Sequence, residues 1–103
     1  MQPTPIRTAN DTPFRLTDHA AVRLQQRGIP PWFLQLLVDH GRTSHDGHGA
    51  LVKSVCKATR RRLQAVLTRA QYAQAERYFD VYAVLTPDRA VITAAHRTGR
   101  RLH

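Results

Sequence analysis

Two β-branched and aromatic runs near the C-terminus, F-D-V-Y-A-V-L and A-V-I-T-A-A-H-R, flank the tetrapeptide T-P-D-R. Valine, isoleucine, tyrosine and threonine suit a pleated, half-buried surface. Pro87 suits position i+1 of a type I turn between two such runs. The pattern predicts a β-hairpin, and with it a sheet on which the rest of the chain must pack.

The residues before the hairpin read mostly as helix. Residues 1–13 hold three prolines and no apolar period, which predicts an extended arm. Thr17 is a suitable N-cap and Gly28 a suitable C′ residue, so a first helix is expected between them. Its apolar side is Ala20, Ala21 and Leu24, flanked by Leu16 and Ile29. Pro30 and Pro31 can open a second helix, Trp32 to His40, which stops at Gly41 and should be the best-buried element. A polar loop, G-R-T-S-H-D-G-H-G, leads to a short strand-like run from Ala50 to Val55. From Ala58 to Arg77 one helix is expected, with Leu63, Val66, Leu67, Ala70 and Ala73 on one face. The expected architecture is a single α+β domain over residues 14–98. Its N-terminal helices pack on a small antiparallel sheet of three to four strands that ends in the hairpin. Residues 99–103 form a basic tail.

Charge narrows the partner. Sixteen Lys+Arg oppose seven Asp+Glu, for a net charge of +9 over 103 residues. Nearly all the cations are arginine, whose planar fork matches phosphate oxygens two at a time. Such an excess draws polyanions at long range. A nucleic acid, RNA first, is the expected partner. A high-GC genome accounts for the choice of arginine over lysine, but not for the shortage of acids. The single cysteine, Cys56, allows no intrachain disulfide, and no apolar run spans a bilayer. The N-terminus carries no apolar signal segment, and a cytoplasmic protein without membrane contact is expected.

Two constellations could carry chemistry. His19, Arg23 and Arg27 lie four residues apart on the first helix, and are expected on one stripe opposite the alanine and leucine side. A neutral imidazole beside two guanidinium groups suits phosphoryl transfer, as a base with charge stabilisers. A solvated polar face with an incidental histidine produces the same spacing. The hairpin supplies Thr93, His96 and Arg97. Without a bulge, strand alternation sends Ile92, Ala94 and His96 to one face and Val91, Thr93, Ala95 and Arg97 to the other. His96 is the expected acid partner of His19 if folding brings them together; a strand-end histidine at the solvent edge is the plain alternative.

Other cations read as phosphate contacts: Arg60, Arg61 and Arg62 at the start of the third helix, Arg69, and Arg100 and Arg101 in the tail. Tyr72 and Tyr78 interleave with Arg69 and Arg77 and could stack on bases, although tyrosines at helical spacing are more often core residues. His45, Asp46 and His48 have the spacing of a weak metal cluster, but a structural zinc needs more ligands, and no metal or other cofactor is expected. Cys56 beside Lys57 reads as a buried structural thiol.

The run T-D-H-A-A-V-R-L-Q-Q-R-G-I, followed by a short apolar helix ending in D-H-G, resembles an uncharacterised bacterial family of small basic domains with the pattern H-A-x-x-R-x-x-x-R-G-I. The hairpin V-Y-A-V-L-T-P-D-R-A-V-I-T-A-A-H-R is similar to that family's C-terminal end. The family is grouped with the barnase, colicin and RelE-like ribonuclease toxins. The resemblance covers about half the chain and implies helices on a four-stranded antiparallel sheet. It marks His19, Arg23, Arg27, Gly28 and Thr93 as matched positions. The third helix is longer than the family leads one to expect. The resulting expectation is an RNA-binding, metal-independent endoribonuclease-like domain of toxin type, with an acidic protein partner that neutralises it. One of His19 and His96 would be the base and the other the acid. The alternative is a non-catalytic basic module that binds nucleic acid or an acidic protein.

Overall fold

The computed structural model describes residues 14–97. The expected arm over 1–13, and the tail with Arg100 and Arg101, lie outside the described residues. In chain order the elements are β1 (Arg15–Leu16), α1 (Asp18–Gln26), α2 (Pro31–His40), β2 (Arg42–His45), β3 (Leu51–Ser54), α3 (Lys57–Val66), α4 (Arg69–Glu76), β4 (Val81–Leu85) and β5 (Ala90–His96).

The strands form one sheet in the order β1-β5-β4-β3-β2. Neighbours from β2 to β5 are antiparallel, and β1 joins β5 in parallel. The class is α+β with a C-terminal hairpin, as the sequence predicts. The sheet differs from the expected three or four antiparallel strands because it has five and is mixed. β2 is the polar R-T-S-H read as loop; every residue is exposed at the sheet's outer edge, so no apolar alternation marks it. β1 is two residues long, too short to show a period.

Local signals account for the first two helices. The Thr17 hydroxyl accepts from the Ala20 N–H at 3.1 Å, and Gly28 takes φ +66°, the left-handed value that ends α1. Pro31 occupies the first turn of α2. α2 closes at Gly41, where the chain turns extended (φ −69°, ψ 155°) and only glycine fits, since a Cβ would lie 2.4 Å from the Leu37 carbonyl.

The expected single helix from Ala58 to Arg77 is two helices. The Thr68 hydroxyl accepts from the Gln71 N–H at 3.1 Å, and the Gln71 side chain accepts from the Thr68 N–H at 2.9 Å. This capping box starts a new helix without glycine or proline. The break also changes the buried face: Leu63 and Leu67 are buried while Val66 is 46% exposed.

One apolar cluster joins all four helices to one face of the sheet. It contains Ala20, Leu24, Phe33, Leu34, Leu37, Leu63, Leu67 and Ala75 from the helical side. Val81, Ala83, Leu85, Val91 and Ala94 supply the sheet side. α2 carries five buried residues, the most of any helix. Trp32, Phe33, Tyr72, Tyr78 and Phe79 close one end with ring centroids 5.5–6.5 Å apart. Tyr72 and Tyr78 therefore both border the core. Among the described residues no helix is long and apolar enough to cross a membrane.

The hairpin turn keeps Pro87 at its second position, with the Arg89 N–H donating to the Thr86 carbonyl at 2.9 Å. Arg89 follows at φ +71°, the left-handed residue expected after a type I turn in a three-residue hairpin loop.

Candidate functional site

Helical geometry moves the α1 stripe away from where it was expected. Arg27 lies seven residues beyond Ala20, and seven steps of about 100° return to within about 20° of the same direction. The stripe therefore begins in solvent at His19 and runs into the buried seam, with Arg23 and Arg27 half-buried. It does not lie opposite the alanine and leucine side.

Arg27 is engaged with the sheet. Among the described residues β1 pairs with β5 at Ala90 and Val91, and the outer edge of β5 beyond them has no strand partner. Arg27 Nη1 donates to the Ala94 carbonyl at 2.9 Å and satisfies that edge. One turn earlier, Arg23 Nε donates to His19 Nε2 at 3.2 Å.

His96 has a different set of partners. Its Nδ1 lies 3.0 and 3.1 Å from the two carboxylate oxygens of Asp80, and its Nε2 lies 3.4 Å from the Arg27 carbonyl. Asp80 was absent from the sequence reading. It became legible only with the hairpin register: Val81 pairs with His96, so Asp80 stands one position further, where its carbonyl accepts from the Arg97 N–H at 2.8 Å. His96 and Arg27 thus converge at the C-terminal end of α1. His19 sits eight residues back, about 12 Å along the axis at 1.5 Å per residue. The two imidazoles are held at opposite ends of one helix.

A bulge revises the strand alternation. Leu85 pairs with Val91 and Val84 with Thr93, which leaves Ile92 as the extra residue. Val91 and Ala94 therefore both face the core, contrary to unbroken alternation. Downstream of the bulge the expected split holds, with Ala94 and His96 on the helix side and Thr93 and Ala95 on the other. Arg97 lies beyond the last paired residue of β5, beside Asp80, and is exposed.

The second face is open among the described residues, because every helix joins the cluster on the first. Direct cross-strand partners share a face, so the register defines its rows. One row runs Ser44, Val52, Val84, Thr93. The next pairs Arg42 with Ser54 and Tyr82 with Ala95, and the β3–β4 register continued by one residue brings Ser54 opposite Tyr82. Tyr82, Val84, Val52, Thr93 and Ala95 are half-exposed, and Ile92 is 39% exposed at the edge. Neither row contains a carboxylate, and Arg42 stands at the outer end of the Tyr82 row. Sequence reasoning missed Tyr82 and Arg42, since only cross-strand register reveals which side chains share the open face.

The remaining predicted cations are spread over the helical layer. α3 begins at Lys57 with Cys56 as N-cap, so Arg60, Arg61 and Arg62 occupy its second turn rather than its N-terminus. Consecutive residues fan around a helix, and the three diverge. The Arg60 guanidinium lies 5.5 Å from the centroid of the Phe79 ring, while Arg61 and Arg62 are exposed. Burial lowers the His40 pKa, Asp39 opposes the shift, and Arg62 reinforces it. Arg69 opens α4 and is exposed.

Cys56 is half-exposed rather than buried. Its Sγ lies 3.3 Å from the Thr59 hydroxyl, and that contact, with backbone N–H groups of Thr59 and Ala58, holds the thiol below its ordinary range. Asp46 is a turn former: its Oδ1 accepts from the N–H groups of His48 at 2.6 Å and Ala50 at 3.0 Å. Among the described residues no three His, Cys, Asp or Glu side chains gather as a metal cluster.

Among the described residues one guanidinium–carboxylate pair forms, Arg15 with Asp88 at 2.7 Å. Searches of protein-family models, curated proteins and solved structures found no match to this chain.

Proposed function

We propose that this chain is an RNA-binding domain that lays a single strand across the open face of its sheet. The observation that carries this reading is the pair of carboxylate-free rows around Tyr82, with Arg42 at the end of one of them. Every base has a π-face, so one exposed ring on a sheet supports stacking without demanding a sequence; such stacking is worth about 1–3 kcal/mol per base. Ser54, itself buried, and Ala95 are the small cross-strand neighbours of the half-exposed Tyr82. The hydroxyls of Thr93 and Ser44 lie one row away, where they can meet a ribose 2′-OH. Unpaired arginines on both layers supply the phosphate attraction, and an acidic protein would compete for the same cations.

A second, catalytic reading has one specific observation in its favour, the Asp80–His96 pair beside Arg27. A carboxylate on Nδ1 orients an imidazole as general base toward a 2′-OH. In this reading the domain is a metal-independent endoribonuclease. His96 Nε2 must then leave the Arg27 carbonyl, and His19, at the far end of α1, is not its acid partner.

Two measurements on the full chain test these readings. Affinity for single-stranded RNA should fall linearly with salt on a log–log plot, and Tyr82→Leu should weaken it at least fivefold, the lower bound of one stacked base. Equal affinity in the variant refutes the sheet-face reading. Incubation with RNA in EDTA tests catalysis: cleavage that disappears in His96→Ala establishes it, and intact RNA leaves a binding module.

A further inference from the structure

The break between α3 and α4 produces a concave feature on the helical layer. A cleft of about 250 Å³ opens at the junction, lined by Gln64, Leu67, Thr68, Arg69 and Tyr72. It exists because the Thr68–Gln71 capping box redirects the chain. A continuous helix would have packed these residues along one rod. The cleft lies below the size range of drug-like ligand pockets, and suits a group about as large as one base.

Its lining has the chemistry of a nucleotide site. Leu67 is 7% exposed and forms an apolar floor. The Tyr72 ring is half-buried, held at 77° to Phe79 with centroids 5.5 Å apart, so its position is fixed by packing. Arg60, 5.5 Å from the Phe79 centroid, adds positive potential nearby without lining the cleft. Gln64 is exposed and offers both a donor and an acceptor to a base edge. Arg69 is exposed on the rim, in no ion pair among the described residues, and able to meet a phosphate.

We infer that this cleft binds one nucleotide, with the base against Tyr72, its edge at Gln64 and its phosphate at Arg69. The inference rests on the RNA-binding reading above and adds a second contact on the opposite layer from the sheet face. A free mononucleotide and a nucleotide within an RNA strand share this chemistry.

The test is amide NMR on the full-length protein, titrated with uridine monophosphate, adenosine monophosphate, inorganic phosphate and a single-stranded oligonucleotide. Saturable shifts centred on residues 64, 67, 68, 69 and 72 are expected with a mononucleotide and weaker or none with phosphate. Arg69→Gln, an exposed change, should reduce mononucleotide affinity at least threefold with the spectrum otherwise intact. Tyr72→Leu should abolish the shifts and Tyr72→Phe restore them, which separates loss of the ring from loss of the fold. Equal shifts from phosphate alone, or no shifts from the mononucleotides and the oligonucleotide alike, overturn the inference. If the oligonucleotide alone moves these amides, the occupant is a nucleotide within a strand; if mononucleotides move them too, a free nucleotide also fits. Failure of the cleft while RNA still binds through Tyr82 sinks this inference alone; failure of RNA to bind the wild type sinks the RNA-binding reading itself.

Discussion

Arg27→Met separates a structural arginine from a phosphate-binding one. Arg27 is half-buried, its guanidinium donates to the Ala94 carbonyl at 2.9 Å, and its own carbonyl lies 3.4 Å from His96 Nε2. Methionine keeps the apolar stem that packs beside Ala20 and removes only the donor. A hydrogen bond from a charged donor contributes about 1.5–3 kcal/mol, and water reaching this half-sheltered carbonyl recovers part of that, leaving a loss of about 1–2 kcal/mol. For a domain of this size each kcal/mol lowers Tm by about 4–8 °C, so the melting point should drop by about 5–15 °C. Urea unfolding should show the same change at constant slope. RNA binding should behave otherwise: at a temperature where the variant is folded, its log affinity against log salt should keep the wild-type slope. A variant with unchanged Tm and a slope reduced by about 0.7, the mark of one lost phosphate contact on a single strand, would refute the assignment.

Three other substitutions probe separate parts of the account. Arg61→Gln removes an exposed cation and should lower the salt slope of RNA binding by about 0.7 with Tm unchanged. Gly28→Ala meets no atom within 4 Å but must hold φ +66°, so urea unfolding should show a loss of about 1 kcal/mol, with Gly28→Asn losing less. The Cys56 thiol, held low chiefly by the Thr59 hydroxyl, should alkylate with a pH midpoint below that of the unfolded chain, and Thr59→Val should move the midpoint up. Because folding depresses this acid, its contribution to stability is full above the unfolded thiol value and lost as pH falls through the folded one. The stability difference between wild type and Cys56→Ser should therefore widen as pH rises toward the ordinary thiol value of 9.0.

What was legible followed local chemistry. Thr17, Gly28, Pro31 and Gly41 mark the ends of α1 and α2 through caps and a steric stop that act over a few residues. The T-P-D-R turn is equally local. The α3–α4 break was also written locally, as the T-R-A-Q capping box, and was hidden by a continuous apolar period. β1 and β2 were invisible for a different reason: a two-residue parallel strand and an exposed polar edge strand owe their existence to the neighbours they pair with. The candidate site divides in the same way. His19 and Arg23 were placed by helical spacing, and their contact formed. Asp80, Tyr82 and Arg42 depend on cross-strand register, and the bulge at Ile92 moved Val91 to the core face without any local signal. Charge indicated a partner class; only the pairing of distant strands indicated a surface for it.

The most direct test of the sheet-face account is an amide NMR titration of the full-length protein with single-stranded RNA. The rows Ser44–Val52–Val84–Thr93 and Tyr82–Ala95 should shift in a saturable manner, and those shifts should collapse in Tyr82→Leu. RNA that binds while both rows stay unmoved contradicts the account.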